Sequence, residues 1–457
     1  MIRNPFIQAL AASAFLFSLS GCAEAPIRMG EPQVEKPLEQ VSGVTTADLE
    51  KSSQKTELNL WDVYNLSVKH TEDLASKYEN IIQSNAQSGE AIASILPQIT
   101  VNEKKAVQST NFIVGTYNPL FQQANSIYLT GTETILSGFN QIAALQGAQA
   151  QTDQNHHLFQ QEARNLLLSV AKSFYAALQA QDALQSKQEI QKLTQEVLKQ
   201  EQQWKAIGRS RDSDVLSVEA QLAQLTGDLE NAQNQLTQSR EALVVLAALK
   251  PDQPLKSEET AIAPLSNLQD VETKVDGRSD VLAAKAGVDL ADAQLLQAHG
   301  LHAPTLSVQG QYYLQNDGAS PTADWNLQLM ASLPIFDGGN SFEQENSAGS
   351  KKRQAELQYS LTRRQALEDI REAYQSLTSS LIQVDAYNKA LDAAHKEYDA
   401  VEHDRRLALN TELDVLNALT SLQNAQNNYN QAKYQALVNW IWLGVATGDL
   451  PKIQKQN

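Results

Sequence analysis

Cys22 is the only cysteine in the 457-residue chain, and it follows directly on an apolar run that ends Leu19-Ser20-Gly21. A lone cysteine forms no intrachain disulfide and builds no cysteine-based zinc site. The chemistry open to it at that position is acylation, once the segment before it has been removed. Among the histidines, His156 and His157 are adjacent. Neighbouring positions point to different faces of a helix, so the pair reads as solvated surface and no metal is expected there. Thr411-Glu412-Leu413-Asp414 has the form of a capping box that opens a helix. No glycine-rich phosphate loop, HExxH, GxSxG or credible nucleophile triad occurs, so no catalytic residue, no cofactor and no enzymatic activity is expected.

The segment carrying the thiol is not part of a fold. Residues 1–21, with Arg3 ahead of the apolar stretch Phe6 to Leu19, read as an export signal. Its ending resembles the bacterial lipobox, which would make Cys22 the acylated first residue of the mature chain; Ala23 in place of Asp suits outer-membrane retention. An ordinary cleaved signal is the alternative reading. Residues 22–56, with Pro26, Pro32 and Pro37, form a tether. The formal net charge of −17 becomes −18 once Arg3 is lost, and so acidic a chain offers no basic stripe for nucleic acid. No further run of about 18 apolar residues is present, so no transmembrane helix is expected.

Two proline-free stretches, between Pro119 and Pro251 and between Pro334 and Pro451, are open to long helices. Both carry the same stripe at an offset of 200 residues: Val215, Val218, Leu222, Leu225, Leu229, Ala232 and Leu236 superimpose on Val415, Ala418, Leu422, Ala425, Tyr429, Ala432 and Ala436. The earlier set Leu367, Ile370, Tyr374, Leu377, Leu381 and Val384 matches positions from Leu167 to Leu184 in the same way. Alternating three- and four-residue spacing is a coiled-coil seam. Each half therefore holds one long and one shorter seam helix, joined near 208–213 and 408–411. An uninterrupted helix from Asn140 to Ile207 would reach about 100 Å, too far for a compact domain.

Upstream of each long helix the period changes to two. Leu306, Val308, Gly310, Tyr312 and Leu314 alternate with Ser307, Gln309, Gln311, Tyr313 and Gln315, and Trp325, Leu327, Leu329, Ala331 and Leu333 alternate with polar residues and Met330. Strands with one apolar and one wet face, with Tyr and Trp near their ends, suit a transmembrane barrel; a half-buried soluble sheet is the competing reading. A hairpin at about 97–136 has the same layout, although Glu103, Lys104, Lys105 and Glu133 interrupt it. Four strands cannot close a barrel in lipid, so a membrane-spanning chain of this kind must share one barrel among several copies.

The segments LNLWDVYNLSVKHTEDL (58–74), GRSDVLAAKAGVDLADAQLLQAHGLHAPTLSVQG (277–310), LPIFDGGN (333–340) and the paired GRSRDSDVLSVEAQL (208–222) and ALNTELDVLNALTSL (408–422) resemble the TolC-like outer-membrane efflux proteins over nearly the whole mature chain. That resemblance implies a mixed, mainly α fold with an internal two-fold repeat. A homotrimer would share a twelve-stranded outer-membrane β-barrel, continued into the periplasm by an α-barrel tunnel. It implies a first repeat at 57–250, an equatorial linker at 251–275, a second repeat at 276–447 with its hairpin at about 304–333, and an equatorial tail at 448–457. It further implies a passive exit duct for a tripartite pump or type I secretion system, completed by a periplasmic adaptor and an inner-membrane transporter. At the helical turns it points to Asp214 and Asp414 as acidic rings at the periplasmic entrance. Gly208, Arg209, Ser210, Ala408, Leu409 and Asn410 become the adaptor-contacting tip. Ala408 stands where the family usually has glycine and Asn410 where some relatives carry a gating arginine; Arg211, Arg405 and Arg406 are the gate candidates instead, with plain solvation as their alternative. Tyr312, Tyr313 and Trp325 are the candidates for a membrane-interface belt. A coiled-coil adhesive or structural lipoprotein and a periplasmic adaptor are the competing functions. The first does not explain the alternating strands, and the second usually has one helical hairpin.

Overall fold

The computed structural model describes residues 50–52, 54–109, 121–257, 262, 265–317, 324–407 and 409–448. Cys22, the signal, the tether up to residue 49, Ala408 and the tail from 449 therefore lie outside the described residues. In order, the elements are α1 (Leu60–His70), α2 (Glu72–Ala93), β1 (Gln98–Ser109), β2 (Phe121–Ser137), α3 (Asn140–Ala206) and α4 (Asp212–Ala247). A short helix α5 (Leu268–Glu272) and a 3-10 turn then lead to α6 (Ser279–Gly300), β3 (Thr305–Asp317), β4 (Trp325–Ser332), α7 (Asn340–Arg406) and α8 (Glu412–Thr447).

The 200-residue repeat is a repeat of elements. Helices α3 and α7 each have 67 residues, and α4 and α8 each have 36. At about 1.5 Å per residue the longer pair reaches about 100 Å. The expected seams are buried: Val215, Val218, Leu225, Ala232 and Leu236 on α4, and Val415, Ala418, Leu422, Ala432 and Ala436 on α8. The largest core lies midway along the rod, where α1 lays Val63 and Tyr64 against Phe159, Leu167, Val170 and Phe174 of α3, with Leu437 and Ile441 of α8.

A second knot at this level is polar. Arg278, 4% exposed, holds both oxygens of Asp280 at 3.0 and 2.7 Å and Asp369 at 3.1 Å, and donates to the carbonyls of Ala366 and Ala446 at 3.3 and 3.0 Å. Burial alone would lower the guanidinium's pKa, but the two aspartates more than offset it and raise it above its ordinary value. The start of α6 is thereby fixed to the middle of α7 and to the last turn of α8, whose carbonyls have no partner within the helix.

The sheet is antiparallel in the order β1-β2-β3-β4, with both outer edges open. Its register lines up one class of residue across all four strands. Val101, Leu129, Tyr312 and Trp325 form one row, and Ile99, Gly131, Gly310 and Leu327 the next on the same face. The alternate rows, Thr100-Thr130-Gln311-Asn326 and Gln98-Thr132-Gln309-Gln328, are wholly polar. On that polar face Asn102 donates to Thr130 and Asn326 donates to Gln311. The charges that spoil the alternation of the first hairpin fall both beyond the aromatic row and within the apolar face. Glu103, paired with Lys105 at 3.2 Å, sits one step beyond the aromatic row, whereas Glu133 pairs with Val308 within the apolar face, one row short of Leu306.

Candidate functional site

The two ends of the rod carry the candidate residues. At the sheet end, Tyr312 and Trp325 are direct cross-strand partners, both more than half exposed, and they cap the apolar rows on the side away from the helices. Tyr313 does not join them. Its ring faces the polar side against Tyr128 at 5.4 Å, its hydroxyl donates to Gln311, and it receives a hydrogen bond from Asn326. Of the three candidates for an interface belt, Tyr312 and Trp325 thus share the apolar face, while strand alternation places Tyr313 with the wet set.

At the opposite end each long helix turns into its shorter partner. Gly208 takes the left-handed conformation, with φ of 75°, and the Arg209 amide returns to the Trp204 carbonyl at 2.8 Å. In the second half the Leu409 amide returns to Asp404 in the same manner at 3.0 Å. These are the hydrogen bonds of a glycine-type helix stop.

The next helices open on acidic caps. The Asp414 carboxylate accepts from the Thr411 amide at 2.8 Å and the Thr411 hydroxyl at 2.6 Å, and these bonds hold it below the usual carboxylate range. Asp214 accepts from the Arg211 amide at 3.3 Å and lies 3.4 Å from the Arg211 Nε. Within one chain both aspartates therefore act as helix caps. Arg209 and Arg211 are exposed, and the side chain of Arg406 lies outside what is described.

Arg405 is different from the exposed Arg209 and Arg211: of the gate candidates, its side chain is buried and paired with acids. It is 3% exposed and stacks over the Trp204 ring at 4.8 Å. Its Nη2 faces two carboxylates, Glu201 at 2.7 Å and Glu412 at 2.9 Å, whose side chains are 3% and 9% exposed. Ser210 donates to the other Glu201 oxygen at 2.5 Å. The cluster ties α3 of the first half to α7 and α8 of the second, over a seam of Val197, Val218, Val415 and Leu416. Sequence reasoning singled out Arg405 but passed over Glu201 and met Glu412 only within a capping box. A signal existed: Ile190, Thr194, Val197 and Glu201 keep the 4-3-4 spacing and are all buried, so Glu201 is a charge set in a seam.

His156 and His157 stand on α3, and among the described residues no group of three or more His, Cys, Asp or Glu could hold a metal ion. No described helix is long and apolar enough to cross a membrane.

The model of the outer membrane efflux protein family matches residues 275–449. The outer membrane protein TolC of Escherichia coli is 25% identical over 421 residues, which cover 86% of this chain and 82% of that protein. Over residues 275–449 the chain matches that family, and as a whole it is similar to the TolC-like outer-membrane efflux proteins. Another TolC-like relative, the alkaline protease secretion protein AprF of Pseudomonas aeruginosa, is 22% identical over 64% of this chain and 63% of its own length. Among solved structures, the outer membrane protein VceC of Vibrio cholerae shares the fold with a TM-score of 0.74 at 18% identity, over 85% of this chain and 96% of its own.

Proposed function

We propose that this TolC-like chain is one subunit of an outer-membrane exit duct for an efflux pump or secretion system. The observation that carries this reading is the sheet: four strands with two open edges, continuous apolar rows on one face and continuous polar rows on the other. An open edge is not stable in lipid, so β1 of one copy must meet β4 of another. Three copies of four strands give a twelve-stranded barrel, within the range of closed outer-membrane barrels. From Leu306 to the aromatic row at Tyr312 the apolar face of β3 spans about 20 Å along the strand; tilted by about 40° this covers about 16 Å, which lies within the ~25 Å band of such barrels. The paired 67-residue helices continue the wall into the periplasm, where a periplasmic adaptor and an inner-membrane transporter complete the path.

In this arrangement the tips form the entrance. Gly208, Arg209, Ser210, Ala408, Leu409 and Asn410 present the adaptor-facing surface, and Asp214 and Asp414, repeated around the axis, make acidic rings that draw cations to the mouth. Arg405 holds the two halves of each tip together, while Arg211 and Arg406 lie at its rim. Acylated Cys22 anchors the mature chain to the outer membrane. Purified protein reconstituted into planar bilayers should conduct ions, and Asp214→Ala with Asp414→Ala should weaken block by polyvalent cations. Absence of current from the wild type would overturn the duct; unchanged cation block in the double variant would remove the acidic rings.

A further inference from the structure

We propose that Glu201 and Glu412 form a buried proton-binding site, and that release of its proton loosens the joint between the two halves of each tip. The inference rests on the tip being the entrance of the duct. Two carboxylates converge on a single guanidinium nitrogen in a site almost closed to water. With both ionised, the cluster would bury a net negative charge beside Asp214 of α4, which also acts on Glu412. Such a charge has a large desolvation cost. With one proton the books close: Arg405 is positive, Glu201 negative, and Glu412 is a neutral acid donating to Glu201. Two contacts favour that assignment. Glu201 is already served by Ser210 and Arg405, whereas both oxygens of Glu412 are buried and accept no hydrogen bond among the described residues, so a negative charge would be more costly on Glu412 than on Glu201.

The electrostatics agree. Burial first, then the hydrogen bond to Glu201, push Glu412 up to about 8 against the pull of Arg405. For Glu201, burial would raise the pKa, but the hydrogen bonds from Glu412 and Ser210 and the Arg405 charge outweigh it and leave it lowered. Nearby, Glu402 and Asp399 of α7 and Glu196 of α3 act together with Arg405 on the Tyr398 hydroxyl. In a parted, hydrated tip Glu412 returns toward its ordinary value of 4.5. The closed tip thus holds one more proton than the open one between about 4.5 and 8. Closure is then favoured at low pH and loses about tenfold per pH unit through that window, up to about three thousandfold, with no further change above it.

Two measurements on the full protein test this. In planar bilayers, the open probability of the wild type should rise with pH between about 5 and 8 and then level off. Glu412→Gln, which keeps the donor to Glu201, should stay closed and flat, and Glu201→Gln should also lose the pH response. A wild type whose opening ignores pH, or a Glu412→Gln variant that follows pH as the wild type does, would overturn the proposal. Infrared titration needs no channel: a protonated-carboxyl C=O band at pH 7, missing in Glu412→Gln, is expected. Its absence from the wild type refutes the proton site, whereas a band without any ionic current refutes the duct.

Discussion

Arg278→Ala removes the knot that fixes the start of α6 to α7 and α8. Five contacts disappear, and they are not of equal weight. The Asp369 side chain is 51% exposed, so its loss costs about 0–1 kcal/mol. Asp280, 24% exposed, loses a bidentate partner, and the Ala366 and Ala446 carbonyls lose a charged donor inside the protein. Breaking a buried pair of this kind costs about 3–5 kcal/mol. At about 2 °C per kcal/mol for a chain of this size, the apparent melting temperature should fall by about 6–10 °C. Tryptophan fluorescence is a suitable probe, because Trp442 packs beside Ala446 in the same region. Arg278→Lys should recover only part of the loss, since one ammonium cannot reach acceptors arranged for a planar fork. An Arg278→Ala protein that melts within a degree of the wild type would show that the knot is incidental to the fold.

Other substitutions probe the remaining elements. Leu329→Arg, on the apolar face, should cost about 2–4 kcal/mol and reduce recovery from membranes, whereas Gln328→Arg on the polar face should insert normally and shift ion selectivity. A Cβ on Gly300 would stand 1.8 Å from the Gly138 carbonyl oxygen, so Gly300→Ala must displace backbone at the β2-α3 joint. The expected cost is about 1–3 kcal/mol, read as a lowered melting temperature. Thr411→Ala removes both the hydroxyl that caps α8 and a donor to Asp414, and amide exchange over the first turn of α8 should quicken. Because Asp414 is held below its ordinary value, its cap should persist above about pH 4 and fade in the wild type only as the pH falls through its lowered pKa.

The helical half of the molecule was legible because a coiled-coil seam is a local, repeated signal. Val215 to Leu236 and Val415 to Ala436 state the same spacing twice, and the elements that carry them match in length. The second hairpin was legible for the same reason with period two. The first was obscured because Glu103 and Lys105 sit past the aromatic row, a position that only the cross-strand register reveals, and because Glu133 interrupts the apolar face beside Val308. The alternation already grouped Tyr313 with Gln311, so its misassignment came from weighing residue type above face. Arg278 showed as part of a motif, but its partners Asp369 and Ala446 lie 91 and 168 residues away and could not be paired from spacing. The Glu201-Arg405 contact spans 204 residues and was equally out of reach, although a glutamate in an apolar seam marked one end of it.

The shared barrel is tested most directly by linking β1 of one copy to β4 of the next. In a Cys22→Ser background, Thr100→Cys would be combined in turn with a cysteine at each position of β4, from Trp325 to Ser332, and the membranes oxidised. At one or two adjacent registers the account predicts covalent dimers and trimers, with a ladder that stops at three. Monomers at every register, or a ladder that runs on past three, would contradict it.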